Sequence, residues 1–210
     1  VRDNDFIFGQ FIWTGFDYLG ESLSWPSRGF ISGMIDLAGF IKPIGYYRMS
    51  MWSEKPMTYI GTYRLIGSNR RELSDSALPV WNYSEGDTIR VVCYTNCPQS
   101  QLSLNGELAG PPKNHDDNLG IISWDIPFKP GKLEVVGLKE GKEATQFLIQ
   151  TSGRSHSIIA TQDRTYLSKS NDLAQITVQI VDQNGIEVML SDDEITCTIS
   201  GPAHLLAMEN

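Results

Sequence analysis

The chain has 210 residues, 40% of them hydrophobic, 10% aromatic and 20% charged, which is enough apolar material to bury the core of one large domain or two ordinary ones. That composition excludes disorder as the main state, and no apolar run approaches the ~20 residues that span a bilayer. Twenty-five acidic residues against 17 basic ones give a formal charge of -8, which repels a phosphate backbone, excludes nucleic acid as the expected partner and favours a neutral substrate.

The chain opens on Val1, Arg2, Asp3, Asn4 and Asp5, without an initiator Met or a basic segment leading into an apolar one, and reads as a cut edge. Residues 1–55 are rich in Gly and aromatics and hold three of the five Trp: Trp13, Trp25 and Trp52. Phe6, Ile7, Phe8, Phe11, Ile12 and Trp13 form a nearly continuous apolar run, the pattern of a strand buried on both faces of a parallel sheet. A long polar loop follows. Pro43 then suits a first helical position, and Ile44, Tyr47, Arg48 and Met51 fall at i, i+3, i+4 and i+7, which predicts a helix with that stripe inward. A single βα unit cannot bury its own faces, so neighbouring strands and helices are expected upstream.

From Pro56 the chain reads as all-β, with short alternating runs bounded by turn residues: 88–94, 101–104 and 132–138 are the clearest. Asn105-Gly106 lies between apolar alternations and predicts a two-residue hairpin, because both central positions of a type I′ turn need positive φ. Lys129-Pro130-Gly131 and Glu140-Gly141-Lys142 predict two further turns. Residues 56–152 therefore fit one sandwich. After a link at 151–155, a second set of strands is expected at 157–161, 174–181 and 194–200, with a turn at Asp182-Gln183-Asn184-Gly185. That set is shorter than the ~100 residues of a complete immunoglobulin-like sandwich and predicts a second cut edge.

Cys93 and Cys97 stand four apart without the companion pair of a structural zinc site. His115, His156 and His204 are isolated in sequence, and Asp192-Asp193-Glu194 lacks the spaced oxygen ligands of a calcium loop, so no metal or cofactor is expected. Asn82-Tyr83-Ser84 matches a glycosylation sequon, a pattern too short to carry weight. Trp81 and Trp124 are expected in the core of the middle sandwich, the alternative being a carbohydrate-binding face built on them.

The run Gly9-Gln10-Phe11-Ile12-Trp13-Thr14-Gly15-Phe16-Asp17-Tyr18-Leu19-Gly20-Glu21 resembles the eighth barrel strand and following loop of glycoside hydrolase family 2, in its β-galactosidase branch. The resemblance continues through Trp25-Pro26-Ser27-Arg28, Gly33-Met34-Ile35-Asp36 and Lys42-Pro43 to Met51-Trp52, and then through the sandwich text to the strands beyond residue 157. It implies a mainly β chain: 1–55 as the last βα unit of a (β/α)8 barrel, 56–152 as a β-sandwich, and 153–210 as the start of an immunoglobulin-like β-sandwich.

The implied parent is a retaining exo-glycosidase acting on terminal β-D-galactosides, whose two carboxyl groups stand ~5 to 5.5 Å apart. The family's acid/base Glu follows an Asn, and no Asn-Glu pair occurs here, so the catalytic carboxylates are expected upstream and this chain by itself is expected to be inactive. Trp13 is the implied wall of the sugar subsite, since a pyranose presents a C–H face that an indole can cover. Asp17 and Tyr18, in the same loop, are further candidates for sugar contact, and Glu21 is expected on the loop or subsite rim rather than as a catalytic carboxylate. Where related β-glucuronidases carry an Asn-x-Lys, this chain reads Gly29-Phe30-Ile31-Ser32-Gly33, which favours a neutral galactoside, although Arg28 keeps a β-glucuronide open, with a β-mannoside as a further alternative. Three roles follow for the chain: part of a glycosidase, a carbohydrate-binding module, or a structural spacer that orients a barrel or forms a homo-oligomer. The resemblance implies a periplasmic, cell-surface or secreted bacterial protein.

Overall fold

The structure, a computed structural model, describes residues 4–22, 24–66, 73–116, 120–168 and 172–209; the opening Val1, Arg2 and Asp3 lie outside them. The described residues form twelve strands and one helix. In chain order these are β1 (Tyr18–Leu19), β2 (Gly29–Phe30), α1 (Pro43–Trp52), β3 (Thr58–Arg64), β4 (Thr88–Thr95), β5 (Gln99–Leu104) and β6 (Glu107–Leu108). They are followed by β7 (Lys113–Asn114), β8 (Ile121–Pro127), β9 (Lys132–Lys139), β10 (Lys142–Gln150), β11 (Ser157–Gln162) and β12 (Ile176–Val181). The chain is mainly β, as its sequence predicts.

Strands β3 to β10 build a sandwich from two antiparallel sheets. One has the order β3-β4-β8; the other has the order β10-β9-β5-β6, with β7 also paired to β5. Alternate residues point between the sheets: Ile60 of β3, Ile89, Val91 and Cys93 of β4, Leu102 of β5, Leu133 and Val135 of β9, and Ile149 of β10. Trp81, Trp124 and Phe128 fill the remaining interior. The predicted hairpin is present, with Asn105 at φ 55° and Gly106 at φ 82°, the left-handed pair that Gly tolerates and Asn accepts more readily than other residues. The turn at Glu140-Gly141 uses the same device, with φ 53° and 73°.

Strand β4 departs from the simple alternation expected of it, since every residue from Ile89 to Thr95 is buried. It is the middle strand of its sheet, and its outer face is covered in turn. Val92 and Tyr94 point outward into a second cluster with Tyr59, Ala77 and Ile121, against which Tyr46 and Tyr47 of α1 pack. Tyr59 stacks on Tyr46 at 4.5 Å and on Tyr94 at 5.3 Å between ring centroids, and Tyr47 meets Tyr94 edge-on at 5.5 Å. The helix lies where the sequence predicts, with Pro43 in its first turn, but its inward stripe is rotated. Gly45 and Ser50 are its buried positions, while Met51, expected inside, is 45% exposed. The tyrosines of the sheet decide this orientation by offering rings for Tyr46 and Tyr47 to stack on.

Two expected strands are not formed. The run Phe6–Trp13 carries no ladder, and Phe6, Phe8 and Phe11 are 86%, 96% and 90% exposed. Residues 194–200 form no ladder, so among the described residues the second set of strands is the two-stranded sheet β11-β12. In both places the reason is the same: an apolar run becomes a strand only when another strand offers its unpaired N–H and C=O groups. The link into β11 is held by Asp182, whose carboxylate accepts the amides of Gly153 (2.7 Å), Asn184 (2.8 Å) and Ile186 (3.0 Å). Those amides hold its pKa below the usual carboxylate value, Gly153 contributing most.

Cys93 and Cys97 are buried and Cys197 is exposed. Burial pushes the Cys93 thiol up to about 12, so it is protonated and shielded at neutral pH. A thiol reagent is therefore expected to titrate one of the three Cys in the native chain and all three in denaturant. A count of two or three without denaturant would contradict the burial of Cys93 and Cys97.

Candidate functional site

The candidate residues lie at the end of the open run, at Trp13, and in the segment between it and α1. A small backbone frame holds it. β1 pairs antiparallel with β2, Tyr18 opposite Phe30, and Phe16 bridges Ile35 in parallel while Ile35 bridges Ile41. Asp17 N–H donates to the Ile35 carbonyl at 2.8 Å, and the amides of Met34 and Ile35 both reach the Gly15 carbonyl at 3.0 Å. At Gly33 the two stretches touch so closely that a Cβ would lie 2.3 Å from Asp17 N, so only glycine fits.

Asp17 faces into this frame. Its Oδ1 accepts the Gly33 amide at 2.7 Å, and Lys42 Nζ approaches Oδ1 and Oδ2 at 3.0 and 2.9 Å while also donating to the Ile31 carbonyl at 2.6 Å. The Asp17 side chain is 7% exposed and that of Lys42 24%. This pair ties the loop to the residue that precedes α1. Asp36, further along the segment, accepts the Phe40 amide at 2.8 Å and closes a turn.

Trp13, Tyr18 and Glu21 form a separate group. The Trp13 Nε1–H donates to the Tyr18 hydroxyl oxygen at 3.0 Å, and the Tyr18 O–H donates to the Glu21 carboxylate. That carboxylate raises the Tyr18 pKa above the ordinary phenol value, while the Trp13 N–H works against the rise. Tyr18 is further fixed by its ring contact with Phe30, centroids 5.7 Å apart. Trp13 remains 75% exposed, which leaves its indole surface open to a ligand.

Of the three residues singled out from sequence, the structure thus brings Trp13 and Tyr18 together and directs Asp17 to Lys42. Sequence reasoning missed Lys42, 25 positions from its partner, and the link from Glu21 to Trp13 through Tyr18. Only the spacing of Tyr18 and Glu21 across a Gly20 turn hinted at the second. Elsewhere, Trp81 and Trp124 are 1% and 4% exposed and belong to the core, so they offer no sugar-binding face. Asn82, within the sequon, is engaged with Ser152 through both its amide nitrogen (2.8 Å) and its oxygen (3.1 Å). Among the described residues no group of three or more His, Cys, Asp or Glu is placed to hold a metal ion, and no helix is long and apolar enough to cross a membrane.

Residues 86–145 match the family described as "Domain of unknown function (DUF4982)", and residues 158–210 match "Glycoside hydrolase family 2 C-terminal domain 5". A β-galactosidase of Bacteroides ovatus is 33% identical across 100% of this chain, and a putative β-glucuronidase of Formosa agariphila is 28% identical across the same span. The chain spans only 23% and 20% of those two proteins. Among solved structures, a glycosyl hydrolase family 2 member from Bacteroides cellulosilyticus superposes with a TM-score of 0.71 at 31% identity, covering 90% of this chain and 25% of its own. A β-glycosidase from Bacteroides vulgatus does so with a TM-score of 0.71 at 31% identity, covering 83% of this chain and 20% of its own. The chain thus carries a glycoside hydrolase family 2 C-terminal domain at 158–210, and along its whole length it is similar to members of that family.

Proposed function

We propose that the chain is part of a retaining exo-glycosidase acting on terminal β-D-galactosides, in which it supplies one wall of the sugar subsite and accessory β-sandwich structure. In this reading residues 1–55 complete a (β/α)8 barrel, the open run at Phe6 to Trp13 being its last strand and α1 its last helix. Residues 56–152 are the sandwich that follows and residues 153–210 the start of an immunoglobulin-like sandwich, and the whole is a periplasmic, cell-surface or secreted bacterial protein. The observation that carries the reading is Trp13: an indole 75% exposed, just before a loop clamped to the start of α1, in a chain 33% identical throughout to a β-galactosidase. Barrel active sites lie at the strand ends where such a residue would stand, and an indole covers the C–H face of a pyranose. The exposed phenylalanines of the same run are what a barrel strand loses when its neighbours are not there to bury them.

A β-glucuronide is the second reading, favoured by the 28% identity to the putative β-glucuronidase. Against it stands Lys42, whose ammonium is already engaged by Asp17 and the Ile31 carbonyl, while Arg28, next to Gly29, is the cation that keeps this reading open.

Chemistry requires two carboxyl groups at ~5 to 5.5 Å for retention, and the acidic side chains of this loop have other partners: Asp17 a lysine, Glu21 a phenol, Asp36 a backbone amide. The 210-residue chain is accordingly expected to show no turnover of nitrophenyl β-galactoside, β-glucuronide or β-mannoside, while a form extended upstream through a full barrel hydrolyses the galactoside fastest. Turnover by the short chain would place the carboxylates within it and overturn the assignment of the chemistry to upstream strands. A long form that prefers the glucuronide would overturn the substrate.

A further inference from the structure

Trp13 stands on a run with no strand partner, yet its side chain is held. Its indole N–H meets the Tyr18 oxygen at 3.0 Å, and the Tyr18 O–H meets Glu21. The direction of this chain of bonds is fixed by chemistry. An indole nitrogen only donates and a carboxylate only accepts, so the hydroxyl between them must do both. The far end is anchored to the backbone: Tyr18 is registered opposite Phe30 in the β1-β2 ladder, and Glu21 sits at φ 48° after Gly20 at φ 92°, a left-handed turn that returns its carboxylate toward the strand it follows. An exposed, conformationally expensive residue that points at a phenol, which in turn receives an exposed indole, is a means of orienting that indole.

Building on the sugar-platform reading of Trp13, we infer that Glu21 and Tyr18 are positioning residues: the Glu21–Tyr18–Trp13 relay sets the plane of the indole against which a pyranoside lays its C–H face. Tyr18 acts through Trp13 and not by its own contact with the sugar. The loop thereby imposes the platform's tilt locally, whatever the neighbouring strands contribute. The carboxylate nearest the platform is a brace for the phenol, which gives Glu21 a role distinct from that of an acid, a base or a rim contact.

Two measurements test the relay. The first uses the 210-residue chain labelled with 5-fluorotryptophan, whose Trp13 signal is assigned by its loss in Trp13→Phe. Tyr18→Phe and Glu21→Gln are each expected to shift that signal and leave the other four in place. A Trp13 signal unmoved by both substitutions overturns the relay. The second uses the barrel-bearing form with a nitrophenyl glycoside. Tyr18→Phe is expected to raise KM ~5-fold, the scale of one lost hydrogen bond, with kcat little changed, and to add nothing in a Trp13→Ala background. An equal rise in both backgrounds means that Tyr18 touches the sugar itself, and this too overturns the relay. If the fluorine signal shifts but Trp13→Ala leaves KM unchanged, the relay's geometry stands and the sugar-platform reading falls.

Discussion

Replacing Trp81 by alanine is expected to lower the stability of the sandwich by about 3–5 kcal/mol, the range for a large aromatic removed from a packed core. Trp81 is 1% exposed and lies in the stretch between β3 and β4 rather than on a strand. Its ring meets Phe128 at 5.3 Å and Tyr83 at 6.0 Å in edge-on contacts, and its Nε1–H donates to the Lys129 carbonyl at 3.0 Å. Its own carbonyl accepts the Thr151 hydroxyl at 2.8 Å, which ties the end of β10 to the same point. Truncation opens a cavity between the sheets and also strips the Lys129 carbonyl of its donor. Urea unfolding followed by far-ultraviolet circular dichroism measures the loss. Trp52→Ala, at a position 61% exposed, is the control and is expected to stay within about 0.5 kcal/mol of the parent chain. A Trp81→Ala loss below about 1 kcal/mol would contradict the assignment of this residue to the core and reopen a surface role for it.

The second large effect is expected at Asp17. Asp17→Ala leaves the Lys42 ammonium, 24% exposed, without its carboxylate and the Gly33 amide without its acceptor. Removing one partner of a fully buried pair costs about 3–5 kcal/mol; with Lys42 partly in water, a local cost of about 2 kcal/mol is a fair scale. That corresponds to a roughly 30-fold larger open population of the loop. Trypsin cleavage after Arg28 reads it directly, because that bond lies in the hairpin the clamp supports. Lys42→Met is expected to accelerate the same cleavage to a similar extent, and the double variant to add little, as partners in one interaction do. In a barrel-bearing form both single variants should depress activity together by displacing Trp13 and Tyr18. If instead Asp17→Ala abolishes activity while Lys42→Met leaves it intact, Asp17 contacts the sugar, as its place in the motif first suggested.

These two sites show where reading the sequence succeeds and where it stops. Trp81 and Trp124 are legible as core residues because buried aromatics carry the largest apolar area, and the structure buries both. The Asn105-Gly106 and Glu140-Gly141 turns are legible because positive φ is a property of the residues themselves. The inward face of α1 is not: periodicity nominates Ile44, Tyr47, Arg48 and Met51, and the chain buries Gly45 and Ser50 with Tyr46 and Tyr47 on the sheet. That choice depends on Tyr59 and Tyr94, which stand on β3 and β4 and not in the helix's own sequence. The two unpaired runs carry the same message, since a strand pattern at 6–13 or 194–200 states a capacity that needs a second edge to be realised.

Asp17 and Lys42 are 25 positions apart and in no common motif, so their contact could not be read from spacing. Tyr18 and Glu21 are near neighbours, yet whether a loop phenol points at a sugar or at a carboxylate is set by the β1-β2 register and the Gly20 turn. The sequence by itself determined the local quantities: strand and turn propensity, the helix span, the family motif from Gly9 to Glu21 and the residue types suited to a sugar subsite. Only the tertiary structure decided which faces are buried and what each polar side chain is bonded to, because burial and hydrogen bonding are relations between segments, and their free energies exist only once distant parts of the chain have met.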